Sequence, residues 1–204
     1  MMTRNIYNDI IKRSLDVLAA ATGMLVLSPV FAGIALTLFV RHPKGKIIFT
    51  QERPGKDGRS FIIYKFRSMR DLYDSHGNIM PDEARISGPG SLLRRSGLDE
   101  LPQLWNVLRG EMSIVGPRPL LPHDLSRASG RALSLRHSVR PGITGWVQVN
   151  GRNSIPWERK FELDEWYVRH ISFAVDASIV MRTFRAMLPS SQKIKHFLHD
   201  EHGG

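Results

Sequence analysis

Cysteine is absent from the 204 residues, which excludes disulfides, thiolate zinc sites and a cysteine nucleophile. No dinucleotide-type Gly-x-Gly-x-x-Gly and no P-loop occurs, so neither of these glycine loops can cradle a phosphate. Internal repeats and low-complexity tracts are missing too, which excludes solenoid and fibrous architectures. Acidic side chains are the scarce charge: 19 Asp and Glu stand against 29 Lys and Arg, for a formal net charge of +10. So basic a chain favours anionic partners, whether nucleic acid, phosphorylated small molecules or anionic lipid. The length allows one domain with a real core.

Charge is absent altogether from Val17 to Val40, "VLAAATGMLVLSPVFAGIALTLFV". As a helix these residues would extend roughly 36 Å, against about 30 Å of bilayer hydrocarbon. The run is too long for a signal-peptide core, and a basic "RHPK" follows it where small cleavage-site residues belong. Pro29 lacks an N–H and clashes with the carbonyl of Leu25, so the helix bends there. The Ser28 hydroxyl is placed to bond a freed carbonyl. Arg4, Lys12 and Arg13 precede the run, and Arg41, Lys44 and Lys46 follow it. Basic flanks prefer the cytoplasmic side, and here both ends ask for it. A re-entrant helix satisfies both flanks; a kinked transmembrane helix satisfies one. From the residues alone both readings stand.

Beyond the run the chain turns polar. "GKIIFTQERPGKDGRSFIIYKFRSM" has the pattern of a β-hairpin, with Lys65 and Arg67 on one face of its second strand. "DLYDSHGNIMPDEARISGPGS" is turn-rich and reads as a loop. "SLLRRSGLDELPQLWNVLRGEM" is helical in pattern, with Leu101, Leu104, Trp105 and Leu108 on one stripe. "SIVGPRPLLP" breaks regularity, "SRASGRALSLRHSV" reads as another helix, and "RPGITGWVQVNGR" is an irregular or short-strand segment. Two further helices follow, "ERKFELDEWYVRH" and "DASIVMRTFRAMLP". The last mixes Ile179, Val180, Phe184, Met187 and Leu188 with Arg182 and Arg185, which suits a helix on a membrane interface or one packed on a core.

Within this basic chain, Asp99 and Glu100 stand together where a helix begins. Either Ser96 caps that helix with Asp99 three residues on, or Asp99 is itself the cap and Pro102 falls in the tolerated first turn. Both placements put the carboxylates at the positive end of the helix dipole, which favours the ionised form that a nucleophile or metal ligand needs. Plain helix capping explains the pair equally. Arg94 and Arg95 lie one turn upstream, and Arg118, Arg140 and Arg152 sit on or beside the stiff turns "GPRP", "RPG" and "NG". Arginines held on such turns suit bidentate phosphate binding. Carboxylates with arginines, and neither Cys nor P-loop, suggest metal-assisted phosphoryl chemistry. His196, His199 and His202 with Asp200 and Glu201 could bind a metal but read as a solvated tail.

The sequence resembles the bacterial sugar transferases, specifically the small monotopic phosphoglycosyl transferases. The resemblance rests on "KRSLD", the central "SP", "QERPG", "YKFRSM", "RRSGLDELPQLWNVLRGEMSIVGPRPLLP", "VRPGITGWVQVNGRN" and "FELDEWYV", which together cover nearly the whole chain. One departure is Gly97, where relatives often carry Ser. The resemblance implies transfer of a sugar 1-phosphate from a UDP-sugar to a polyprenol phosphate such as undecaprenyl phosphate, with Mg²⁺ and release of UMP. It implies Asp99 as the nucleophile and Glu100 as the metal holder. It places Lys65, Arg94 and Arg118 in active-site motifs; phosphate contacts for these three follow from their charge. It implies re-entry at Ser28-Pro29 and residence on the cytoplasmic face of the bacterial inner membrane, among membrane lipid and downstream glycosyltransferases and without nucleic acid. The fold class expected is α+β and mostly helical, with a broken membrane helix, a small hairpin and interfacial amphipathic helices. Residues 1–45 form the anchor, 46–190 the catalytic domain and 191–204 a tail. The rivals are a membrane-tethered binder of nucleic acid or anionic lipid, supported by charge alone, and a scaffold, which leaves the Asp99-Glu100 pair without purpose.

Overall fold

A computed structural model of the chain describes residues 7–41, 46–86, 88–127, 130–151 and 154–187. It is mostly helical, with a small antiparallel hairpin. After a π-turn at Tyr7–Ile11, helix α1 (Lys12–Val26) and helix α2 (Ser28–Arg41) meet at Leu27 with a bend of 60°. The break has the expected chemistry: the Ser28 hydroxyl donates to the Leu25 carbonyl at 2.8 Å, the acceptor that proline frees. Among the described residues no single helix is long and apolar enough to cross a membrane.

The hairpin follows as β1 (Ile48–Pro54) and β2 (Ser60–Phe66), in antiparallel register from Ile48 opposite Phe66 to Pro54 opposite Ser60. Phe61 and Ile63 point into the core, as period-two alternation requires. Lys65 and Arg67 do not form the shared basic face expected of them: Lys65 turns to Glu100 and Arg67 to Asp71. The segment that reads as a loop carries a Tyr73–Ile79 bridge and a helical turn α3 (Asp82–Arg85).

The single helix expected around Leu101 is two. Helix α4 (Pro89–Ser96) ends at Gly97, whose φ of 73° is the left-handed C-terminal stop that glycine takes without strain. A 3₁₀ turn (Leu98–Glu100) carries the acidic pair, and helix α5 (Gln103–Arg109) starts only after Pro102. The apolar stripe therefore does not form: Leu101 lies outside the helix and Trp105 is exposed. The buried face of α5 is instead Gln103, Leu104, Asn106 and Val107.

The remainder comprises strand β3 (Ser113–Val115), helices α6 (Pro122–Leu125) and α7 (Gly130–His137), strand β4 (Gly142–Thr144), and helices α8 (Trp146–Val149), α9 (Trp157–Arg169) and α10 (Phe173–Met187). β3 and β4 pair in parallel. Glycine permits their approach where β3 turns into the "GPRP" loop: a Cβ on Gly116 would lie 2.5 Å from the Arg140 carbonyl oxygen.

Helices α1 and α2 share cores with the hairpin. Ala20 of α1 packs with Phe61, Ile63, Leu104, Val107 and Met112. Leu38 of α2 packs with Phe66 and Leu93. A third core joins Val115, Tyr167 and Ile179 around β3, α9 and α10. The start of α1 is tied to α10 through Asp176, which accepts from Lys12 at 2.7 Å and from the Tyr7 and Tyr167 hydroxyls at 2.8 Å each. Outside, Arg182, Trp146, Trp166 and His170 stack in a column that joins α8, α9 and α10.

Candidate active site

The 3₁₀ turn places Asp99 and Glu100 beside β2 and the "GPRP" loop, and their surroundings differ. Glu100 is gripped by cations: Oε1 accepts from Lys65 Nζ at 2.7 Å and from Arg118 Nη2 at 2.5 Å, and Oε2 accepts from Arg118 Nη1 at 3.2 Å. Burial pushes the Glu100 carboxyl up, but Arg118 and Lys65 outweigh it and bring the pKa from 4.5 down to about 2. Asp99 is buried, and no described residue donates a hydrogen bond to it. Burial first, and then the neighbouring Glu100 charge, raise its pKa above the ordinary value, against the pull of Lys65, Arg118 and Arg94.

This corrects the capping expectation. Helix α5 has no side-chain cap, and Ser96 bonds back to the Leu92 and Leu93 carbonyls at the end of α4. The carboxylates precede α5 by a turn, so burial rather than a cap position dominates Asp99. Two adjacent carboxylates with opposite shifts are set for different work: Glu100 organises cations, and Asp99 keeps its oxygens unclaimed.

Of the residues singled out in the sequence, Lys65, Asp99, Glu100 and Arg118 come together, and Arg94, at the end of α4, acts on Asp99 through its charge. The Arg118 fork closes on Glu100. Arg140 lies elsewhere: its Nε donates to the Gly110 carbonyl at 2.8 Å. There it joins Arg13, which donates to the Val107 and Leu108 carbonyls, so two guanidinium groups serve the carbonyl end of α5. Arg152 and the histidines of the tail fall outside the described residues.

Two residues that sequence reasoning passed over stand beside the site. Arg53 donates to the carbonyl of Pro119, next to Arg118, at 3.2 Å and to Gln51 Oε1 at 2.7 Å. Asn106, fully buried, accepts from Tyr64 N and donates to the Ile62 carbonyl, so its amide pairs with β2 as another strand would. Arg53 was hidden inside a hairpin pattern, and Asn106 inside a stripe drawn through Trp105. The one signal for Asn106 was its spacing from Gln103, which puts two amides on one helix face.

No described cluster of three or more His, Cys, Asp or Glu side chains is placed to hold a metal. Mg²⁺ asks for less: one or two carboxylates, with substrate phosphates and water completing its shell. Asp99 supplies hard oxygens that no described side chain claims, and Glu100, whose two oxygens are held by Lys65 and Arg118, would join it only by yielding one of those contacts.

The profile of the family described as "Bacterial sugar transferase" matches residues 7–190, and the chain belongs to that family. It is 47% identical over 181 residues to the "Uncharacterized sugar transferase EpsL" of Bacillus subtilis (strain 168), covering 89% of each chain. It is 40% identical over 185 residues to the "UDP-glucose:undecaprenyl-phosphate glucose-1-phosphate transferase" of Escherichia coli (strain K12). That match covers 86% of this chain but only 40% of the relative. The "Exopolysaccharide production protein ExoY" of Rhizobium meliloti (strain 1021) is 36% identical, with 86% and 84% covered.

Proposed function

We propose that the protein is a phosphoglycosyl transferase that moves a sugar 1-phosphate from a UDP-sugar to a polyprenol phosphate, undecaprenyl phosphate being the acceptor in the names of its relatives. The observation that carries this reading is the contrast between a cation-clamped Glu100 and an unclaimed, buried Asp99. An Asp99 carboxylate oxygen attacks the β-phosphorus of the UDP-sugar. The bond from that phosphorus to the bridging oxygen breaks, and UMP leaves with the oxygen and its electron pair. A glycosyl-phosphoryl-Asp99 remains. An oxygen of the polyprenol phosphate then attacks the same phosphorus, and the Asp99 carboxylate is released. Lys65 and Arg118, locked in place by Glu100, are preorganised cations beside the reacting phosphate. Asp99, with Glu100 once it yields one of its cation contacts, would hold Mg²⁺, which would offset phosphate charge against the approaching nucleophile.

The acceptor is a lipid, and the anchor suits it. A 60° bend leaves 120° between α1 and α2. If both arms dip evenly, each descends at about 30°, and the 14 residues of α2 reach only about 10 Å below their starting level. That is less than one leaflet of hydrocarbon, about 15 Å. The bend and the basic flanks Arg13, Arg41 and Lys46 therefore support a re-entrant anchor with the site on the cytoplasmic face. The outward residues of α10, Phe173, Met181, Phe184 and Met187, suit an interfacial helix.

The test is a panel of UDP-sugars mixed with the enzyme and Mg²⁺ before any acceptor is added. UMP should appear in a burst stoichiometric with enzyme, and the peptide holding Asp99 should gain a sugar phosphate by mass. Chelation should abolish both. Steady-state kinetics that require a ternary complex, with no adduct, would sink the covalent route. An adduct on Glu100 would reverse the two roles.

A further inference from the structure

Arg53 is held as a ligand-binding guanidinium is held, yet it has no anion. Its Nη1 is fixed on the Pro119 carbonyl and its Nη2 on Gln51. Its Nε is buried and has no hydrogen-bond partner among the described residues. No described carboxylate forms an ion pair with it; Asp124, whose charge it feels, is engaged by His123 and Arg127. Burial and the like charge of Arg118 both act against its protonated form. Such an arrangement is unfavourable until an anion arrives.

Charge balance says where that anion belongs. Within the reacting cluster, Lys65 and Arg118 are paired with Glu100, and both act with Arg94 on Asp99 through their charge. A UDP-sugar brings two further negative charges, one on each phosphate. Arg118 has both ends of its fork on Glu100, and Mg²⁺ would meet the phosphate that Asp99 attacks, so the second phosphate is left to a guanidinium beyond Arg118. Arg53 is anchored to the residue that follows Arg118. It is therefore tied to the loop that carries Arg118, within reach of the charges of Arg118 and Glu100.

We propose that Arg53 is the residue that binds the α-phosphate of the nucleotide donor and then holds the departing UMP. The inference rests on the reading of function above. It separates the half-reactions: the α-phosphate is present when Asp99 attacks and absent once UMP has gone. Arg53 serves formation of the adduct and has no part in its discharge to the lipid acceptor.

The experiment uses the full chain in a membrane mimic, as wild type, Arg53→Gln and Arg53→Lys. Calorimetry measures UMP binding, and burst kinetics measure adduct formation. Adduct already formed and freed of nucleotide is then chased with polyprenol phosphate. Arg53→Gln should weaken UMP binding and raise KM for the UDP-sugar by about tenfold or more, the value of one charge-assisted contact. Its adduct should discharge within about twofold of the wild-type rate, since that step has lost the phosphate Arg53 binds. Arg53→Lys, which keeps the charge and loses the fork, should recover part of the affinity. Unchanged UMP affinity in Arg53→Gln overturns the proposal. So does equal slowing of formation and discharge, because Arg53 would then only prop the loop that carries Arg118. A wild-type enzyme that releases UMP from no UDP-sugar overturns the functional reading itself, a result distinct from both.

Discussion

Asp99 and Glu100 are neighbours with opposite effects on stability. Glu100 titrates at about 2 in the fold instead of 4.5, so its ionised form stabilises the protein. That contribution is complete above the ordinary carboxylate range and is lost as pH falls from about 4.5 through about 2. The Asp99 pKa is raised, so ionising it costs stability; the cost is absent below its ordinary pKa and grows as pH rises through the folded value. At pH 7 Asp99→Asn should raise Tm while lowering activity roughly a thousandfold or more. The gain in Tm should disappear in acid. Glu100→Gln should lower stability by about 2 kcal/mol, since it strips Lys65 and Arg118 of their shared partner. Thermal melts of both variants from pH 3 to 8 check the pair, and Tm shifts of the same sign at pH 7 would refute the division of roles. The sequence made the residue types of this cluster legible through the arginines near the pair, Arg94, Arg95 and Arg118, since the Asp-Glu pair itself recurs at 82–83, 164–165 and 200–201. It did not reveal which carboxylate is clamped. That depends on β2 and the "GPRP" loop, 35 residues before Glu100 and 18 after it, arriving on the same side.

Among the elements, strong local signals survived and weak ones did not. The hairpin was legible because its alternation and its turn residues agree. The division between α4 and α5 was not, since leucine spacing ran on through Gly97 and Pro102, whose backbone demands overrule it. The parallel β3–β4 pair was invisible: three-residue strands separated by a long crossover leave no periodicity to read. Asn106 shows what such pattern reading omits. Its amide satisfies the exposed edge of β2 at Ile62 and Tyr64, next to Lys65, and also donates to Glu111 at 2.7 Å. Asn106→Ala leaves those part-buried backbone groups without their amide partner and should cost about 1–3 kcal/mol. Activity should fall with it, because the strand that presents Lys65 loses its tie to α5. Urea unfolding measures the first effect and UMP release the second. A loss below about 1 kcal/mol would mean that water replaces the amide at little cost.

For the whole molecule, the bent anchor is the feature the sequence announced most clearly, since Ser28-Pro29 marks the break and basic residues mark both ends. Its packing was not announced: Ala20 and Leu38 belong to the same cores as Phe61 and Phe66, so α1 and α2 are built into the same body as the hairpin rather than tethered to it. The absence of native cysteine makes topology simple to test. Single cysteines at Ile10 and Lys46, both exposed and on either side of the anchor, should both resist a membrane-impermeant thiol reagent in intact cells. Both should react once the membrane is opened. Labelling of one alone in intact cells would establish a full crossing.

The tie between Lys12 and Asp176 also imposes an order in time. The two residues are 164 positions apart. At the usual pace of synthesis, about 5–20 residues per second, Asp176 is made roughly 8–33 seconds after Lys12. On the proposed re-entrant anchor, the apolar run meets the bilayer during that delay, before Asp176 exists to pair with Lys12, and the lysine stays at the wet side of the interface. On that proposal the lysine would hold its end of the helix out of the lipid first and become a buried joint afterwards. Insertion and folding draw on the same charge in succession.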